Sequence, residues 1–154
     1  ACGVEPLMLG DAIEGEAREV GTVMAGIATA ARRGATSLPR PCLILSGGET
    51  SVSVRGHGRG GRNAEFLLGF ALGIAGVDGI TALACDTDGI DGSEDNAGAL
   101  ADGQSAARAR AAGLDPRDRL ADNDAYTVFA TLNDLVVTGP TLTNVNDFRA
   151  ILVL

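Results

Sequence analysis

The sequence predicts an α/β domain of three α/β/α layers around a mixed β-sheet. Two observations carry this. Short apolar runs of strand length alternate with segments whose apolar residues recur at helical spacing, the pattern of a layered α/β domain. The link between the last two strands is short, and the chain around Gly47-Gly48 reads as a strand pair, so some neighbours must be antiparallel. With 154 residues, 45% apolar and only 3% aromatic, the chain can form one domain with an Ala/Leu/Ile/Val core.

Asp11-Ala12-Ile13-Glu14 resembles a capping box. Val20, Val23, Met24, Ile27 and Ala31 follow at helical spacing, so a first helix with one apolar face is expected, with Glu14, Glu16, Arg18 and Glu19 on its wet side. Arg32-Arg33-Gly34 ends it. A loop with Pro39 and Pro41 leads to a short buried strand, Cys42–Ser46. Ser51–Arg55 alternates as a strand, and the glycines of 56–61 break it. Arg62 begins a second helix carrying Phe66, Leu67, Phe70, Ala71 and Ile74. Ile80–Cys85 is an apolar strand run. An Ala/Arg helix extends from about Gln104 to Ala112, closed by Gly113 as a C′ residue. Pro116 opens a short helical turn. Asp122-Asn123-Asp124 caps a helix with Tyr126, Phe129 and Leu132 inside. Leu135–Thr138 is a strand, 139–147 a polar loop, and Phe148–Leu154 a last apolar strand.

Composition excludes several functions. The net charge is −8 and all twelve basic residues are arginine, which argues against a nucleic-acid footprint. Without lysine the chain has no Walker A loop. Phosphate, if handled, must meet arginine, backbone N–H groups and metal. No apolar run is long enough to span a bilayer, and no signal peptide is evident. Cys2, Cys42 and Cys85 are odd in number and far apart, which suggests reduced thiols in a cytoplasmic protein. The chain lacks an initiating Met and ends on an apolar strand, so it reads as the C-terminal piece of a longer protein.

Three loops could carry chemistry. Asp86, Asp88 and Asp91 fall within six residues after a strand, at the carboxyl end where open α/β sheets bind ligands. They suit magnesium, or simply a solvated Asp/Gly turn. They do not form an EF-hand, whose sixth and twelfth positions would be Asp91 and Ala97. Gly56-x-Gly58-x-x-Gly61 matches a dinucleotide fingerprint by spacing, but no acid follows at a convincing strand end. An anion site at the helix N-terminus is better supported, with Gly60 and Gly61 opening the backbone and Arg59 and Arg62 as forked donors. His57 reads as an exposed loop residue. Thr138, Thr141, Asn144 and Asn146 concentrate hydroxyls and amides after a strand. They and Gly47-Gly48-Glu49-Thr50 are either ordinary turns or further walls of one polar cleft.

Together these pieces resemble a known family. Leu45-Ser-Gly-Gly-Glu-Thr50, Gly58-Arg-Gly-Gly-Arg-Asn63 with Glu65, Thr87-Asp-Gly-Ile-Asp-Gly92, Asn96-Ala-Gly-Ala99 and Thr138-Gly-Pro-Thr141 with Thr143-Asn-Val-Asn-Asp147 occur in the order seen in the MOFRL domain. That is the C-terminal domain of glycerate kinases long called hydroxypyruvate reductases. Leu9-Gly-Asp with Glu14-Gly-Glu-Ala-Arg18 is similar to the segment leading into it, which makes 1–154 one C-terminal domain with 1–36 as a helical lead-in. The resemblance implies phosphorylation of D-glycerate to 2-phosphoglycerate with ATP and magnesium, in a cleft shared with an N-terminal domain absent from this chain. NAD(P)H-dependent reduction of hydroxypyruvate is the alternative, and a homodimer is left open. By the same resemblance Arg62 acts in the cleft. Gly47, Gly48, Glu49, Thr50, Gly60, Gly61, Asn63, Glu65, Thr138, Thr141, Asn144 and Asn146 would contact substrate or phosphate. Asp86, Asp88 and Asp91 would hold magnesium. Ala64 stands where the family usually has Gln, and Leu142 where it often has Gly.

Overall fold

The structure, a computed structural model, describes residues 3–154. Strands β1 (Glu5–Met8), β3 (Cys42–Gly48), β5 (Ile80–Asp86), β6 (Gly98–Asp102), β7 (Leu135–Val136) and β8 (Asp147–Val153) form a six-stranded sheet in the order β1-β3-β8-β5-β6-β7. Only β1 and β3 pair in parallel; the other four pairings are antiparallel. A separate parallel pair joins β2 (Gly15–Glu16) to β4 (Thr50–Ser51). The helices are α1 (Ala17–Arg32), α2 (Arg62–Gly73), α3 (Ser105–Ala111), α4 (Pro116–Ala121) and α5 (Ala125–Leu132).

The α/β class and the mixed sheet are borne out. Alternation along β3, β5 and β8 buries Cys42, Ile44, Ile80, Ala82, Ala84, Ile151 and Val153 on one face, under α1 and α2. The remaining helices pack around α2. Chain order explains this. From β1 to β3 to β5 the chain steps across the sheet in one direction, and right-handed crossovers then put α1 and α2 on the same side. The opposite face carries the partly buried Leu43, Leu45, Leu83 and Leu152 with the exposed Leu100 and Phe148. No described helix covers it, so the second helical layer of the expected sandwich does not come from these residues.

Several local expectations are corrected. The mixed sheet does not arise from pairing of the last two strands: β7 lies at an edge and β8 in the middle. The chain after Gly48 pairs with β2, not β3, and the strand expected over Ser51–Arg55 ends at Ser51. Its continuation is held instead by Asn123, whose side-chain oxygen accepts from the N–H groups of Arg55 and Gly56. Helix α1 starts at Ala17 rather than Asp11, because Ile13 donates to Gly47 and Gly15–Glu16 are taken by β4. The edge strand β1 and the small-residue strand β6 are additions. Cys42 and Cys85 are free thiols, whereas Cys2 lies outside the described residues.

Candidate functional site

At one end of the sheet the last residues of β3 and β5 flank the first residue of β8. The register sets Gly48 and Asp86 on either side of Asp147. Gly48 ends β3 at φ +118°, and a Cβ there would lie 2.3 Å from the backbone of Ile13. Only glycine allows the chain to turn there so close to residue 13.

The first residue of α2 supplies the centre of the site. Arg62 donates from Nε to Asp147 Oδ1 at 2.7 Å, from Nη2 to Asp86 Oδ2 at 2.6 Å, and from Nη1 to the exposed Glu49 at 3.3 Å. Burial works against the Arg62 charge, but the hydrogen bond and charge of Asp147, with Asp86 and Glu49, raise its pKa above the usual guanidinium value. Burial also raises the Asp86 carboxyl, against the opposing pull of the Asp88 N–H and Arg62. Asp147 is fully engaged. Its Oδ1 also accepts from Asn63 Nδ2 at 2.9 Å, and its Oδ2 accepts from the Thr50 N–H at 3.2 Å and from Arg149.

The acidic loop divides by role. Asp91 is wholly buried at the head of α2, where its two oxygens accept from the N–H groups of Asn63 and Ala64 at 2.9 and 2.8 Å. Desolvation nevertheless pushes its pKa up to about 6, against those hydrogen bonds. A Cβ on Gly61 would lie 2.3 Å from Asp91 Oδ1, so glycine at the N-cap is what lets this carboxylate reach the helix. Asp86 Oδ1 accepts from the Asp88 N–H at 3.2 Å. Asp88 Oδ1 accepts from Ile90 N–H at 2.9 Å, and its Oδ2 from Asn144 Nδ2 at 3.4 Å. The 138–146 loop is tied down onto this turn. Thr141 N–H donates to Asp88 O, Thr141 Oγ1 to Thr87 O, and Thr87 Oγ1 to Asn146 O.

The structure thus joins Arg62, Asp86, Asp88 and Asn144 in one hydrogen-bonded chain, with Glu49, Thr50 and Asn63 around Arg62. Two separate hollows open on it. One is lined by Glu49, Thr50, Gly60, Gly61 and Arg62, the other by Asp88, Thr143 and Asn144. Gly47 braces the site through its carbonyl. Glu65 does not join. It is buried between Arg18 Nε at 2.8 Å and Asn123 Nδ2 at 2.9 Å, and it ties α1 and α2 to the turn before α5. Thr138 bonds its own turn at Gly139 O.

Two expectations for this site are corrected. Asp86, Asp88 and Asp91 do not converge as metal ligands, and among the described residues no group of three or more His, Cys, Asp or Glu could hold a metal ion. Asp91 serves the helix and Asp86 serves Arg62. The anion expected at the α2 N-terminus is supplied by the chain itself, as Asp91. The N–H groups of the first part of the glycine loop are also taken. Those of His57, Gly58 and Arg59 bond Asp122 and Asp124, and Arg59 pairs with Glu94 over the Tyr126 ring.

Asp147 and Arg149 carry more of the site than sequence reasoning assigned them. The signal was one arginine inside an apolar strand, two residues from an aspartate and therefore on the same face. Burial lowers the Arg149 pKa; Asp147 opposes that shift and Arg62 adds to it.

The sequence matches the MOFRL family over residues 42–147. It is 60% identical over 153 residues to an Agrobacterium vitis protein provisionally named hydroxypyruvate reductase, covering 98% of this chain and 35% of that protein. It is 42% identical over 132 residues to D-glycerate 2-kinase of Thermotoga maritima, covering 86% of this chain and 32% of the kinase. The crystal structure of glycerate kinase from Thermotoga maritima superposes with a TM-score of 0.96 at 38% identity, over 99% of this chain and 37% of that one. The chain therefore spans 32–35% of the length of these curated relatives. Among the described residues no helix is long and apolar enough to cross a membrane.

Proposed function

The chain belongs to the MOFRL family, and from that premise we propose that it forms one wall of the active site of an ATP-dependent glycerate kinase, which converts D-glycerate to 2-phosphoglycerate. Residues 1–154 act as its C-terminal domain, and a further domain of the same polypeptide supplies the facing wall. Relatives much longer than this chain, named glycerate 2-kinase, support that arrangement.

The observation that carries the reading is Arg62. Of its five N–H donors, three are engaged by Asp147, Asp86 and Glu49, and two remain on the half-exposed fork. The Glu49 contact is the longest of the three and lies on an exposed side chain, so an incoming anion can replace it. A guanidinium held in this way neutralises a carboxylate or the charge spread over a transferring phosphoryl group. Asp88 and Asn144 offer an acceptor and an amide beside it for substrate hydroxyls. Magnesium enters this reading only as the nucleotide's counter-ion, carried on its phosphates, and no carboxylate here is assigned to it. A cytoplasmic setting belongs to the reading as well, and the free Cys42 and Cys85 suit it.

A full-length assay tests the proposal. ADP release that depends on D-glycerate is the expected result. NADH or NADPH oxidation with hydroxypyruvate, and no glycerate-dependent ADP, would replace the kinase by a reductase.

A further inference from the structure

Arg149 is a cation where a core residue would be expected. It is the largest fully buried side chain described, at 1% exposure, on the sheet face that packs under the helices. Nη1 donates to Gly47 O at 3.3 Å, Nη2 to Thr50 Oγ1 at 3.1 Å and to Asp147 Oδ2, and the guanidinium lies 5.1 Å from the Phe66 ring centroid. Its Nε has no partner. A buried ion pair can often be replaced by apolar side chains at no loss of stability, and an unpartnered buried N–H is a further cost. Stability alone does not call for arginine here.

We propose that Arg149 is a positioning residue for the phosphoryl transfer: it fixes Asp147 from behind, so that Asp147 fixes the Nε of Arg62. This rests on the kinase reading of the site. The two oxygens of Asp147 divide the work. Oδ2 takes Arg149 and Thr50; Oδ1 takes Arg62 and Asn63. With Oδ2 clamped, the carboxylate has one orientation, and Arg62 presents its remaining donors at one place. Arg149 also balances charge. Without it, Asp147, Asp86 and Glu49 face Arg62 alone, and the three carboxylates compete with an anionic substrate for its fork. Gly47 and Thr50, the other partners of Arg149, belong to the same glycine turn as Glu49. One buried guanidinium therefore holds both the turn and the carboxylate that frame Arg62.

The test is a double-mutant comparison in the full-length enzyme, with kcat and KM for D-glycerate measured on folded protein. Arg149→Lys keeps the charge but cannot span Gly47, Thr50 and Asp147 from one planar fork. In the wild-type background it is expected to lower kcat about 10- to 100-fold, the scale of a misplaced reacting group. In an Arg62→Lys background, which lacks the Nε that Asp147 holds, it should cost less than about twofold more. A kcat within about twofold of wild type for Arg149→Lys, or the same loss in both backgrounds, would overturn the inference, because a purely structural residue acts equally in each. If Arg149→Lys does not fold, Asp147→Asn is read by the same criteria. Undiminished activity of Arg62→Lys and Arg62→Ala would instead remove Arg62 from the chemistry, and the functional reading would fall first.

Discussion

Asp147 Oδ1 lies 2.7 Å from Arg62 Nε, across 85 positions of sequence, and this contact sets the geometry of the whole site. One partner is the first residue of a strand and the other the first residue of a helix. Both are therefore anchored in backbone that the sheet and the helix hold rigid. Loops contribute only the outer ring, Glu49 on one side and Asp88 with Asn144 on the other. The arginine is thus oriented before any substrate arrives, which is what electrostatic stabilisation of a developing charge requires.

The first prediction concerns Arg62. Arg62→Ala in the full-length enzyme should lower kcat/KM for D-glycerate by about 10²–10³, the loss seen when one preorganised donor is removed. Arg62→Lys should recover little of this, because a point charge cannot hold Asp147 and Asp86 while also presenting a fork. Steady-state kinetics with a circular-dichroism check of folding decides it. A near-normal Ala variant would sink the assignment.

Much of this site could be read from residue order, but not its division of labour. The strand runs Cys42–Ser46 and Ile80–Cys85 and the start of α2 at Arg62 are visible because their apolar spacing is clean. β6 is not, since Gly-Ala-Leu-Ala-Asp has no β-branched or aromatic residue to mark it as a strand. β1 contains Pro6 and pairs on one side only. The acidic loop looks uniform in sequence, yet Asp91 caps a helix, Asp86 grips an arginine and Asp88 meets an amide. Those roles depend on which element packs against each carboxylate, and local sequence does not carry that. Arg149 was overlooked for a different reason: an apolar strand reads as core, although its partner Asp147 lies two residues away on the same face.

A second prediction follows from Asp91. Its folded pKa of about 6 lies above the usual carboxylate value, so the native state keeps the proton over a range where the unfolded chain has lost it. The stabilisation from this group is complete below about pH 4 and is lost as pH rises to about 6. An asparagine does not titrate. The stability of Asp91→Asn minus that of wild type should therefore climb by on the order of 2–3 kcal/mol between pH 4 and 7, whatever its constant offset. Urea unfolding of both proteins across that range measures it. A flat difference would mean that burial does not raise this carboxyl.

A third prediction concerns the turn after β3. Gly48→Ala puts a methyl group 2.3 Å from the backbone of Ile13, at a φ of +118° that side chains avoid. Both strains act on the same short turn, so a loss of several kcal/mol is expected, about 3 or more. Glu49 would move with it, and KM should rise in whatever fraction folds. Gly113→Ala gives a contrast. Its φ is +83° but nothing lies within 4 Å, so its loss should stay near 1 kcal/mol. Equal losses for the two variants, measured by thermal or urea melts, would show that the clash at residue 13 is relieved at no cost.

The last prediction tests the brace behind the glycine loop. Asn123 sits in the left-handed region at φ 56°, a conformation that asparagine tolerates better than most residues. Its oxygen accepts from the N–H groups of Arg55 and Gly56 at 2.7 and 3.0 Å, and its amide donates to buried Glu65 at 2.9 Å. Its amide also donates to Ser53 O at 3.3 Å, so Asn123→Ala strands all four partners and keeps the unfavourable φ. Part of the loop can reach water, so the expected loss is about 2–4 kcal/mol, or roughly 5–15 °C in Tm for a chain of this size. Asn123→Asp separates the two functions. It keeps the acceptor for the loop N–H groups but sets a second carboxylate against Glu65. It should therefore melt below wild type at pH 7, where the two carboxylates repel. If Asn123→Asp melts with wild type at pH 7, the amide-to-Glu65 contact contributes nothing, and the loop is held by the two backbone donors alone.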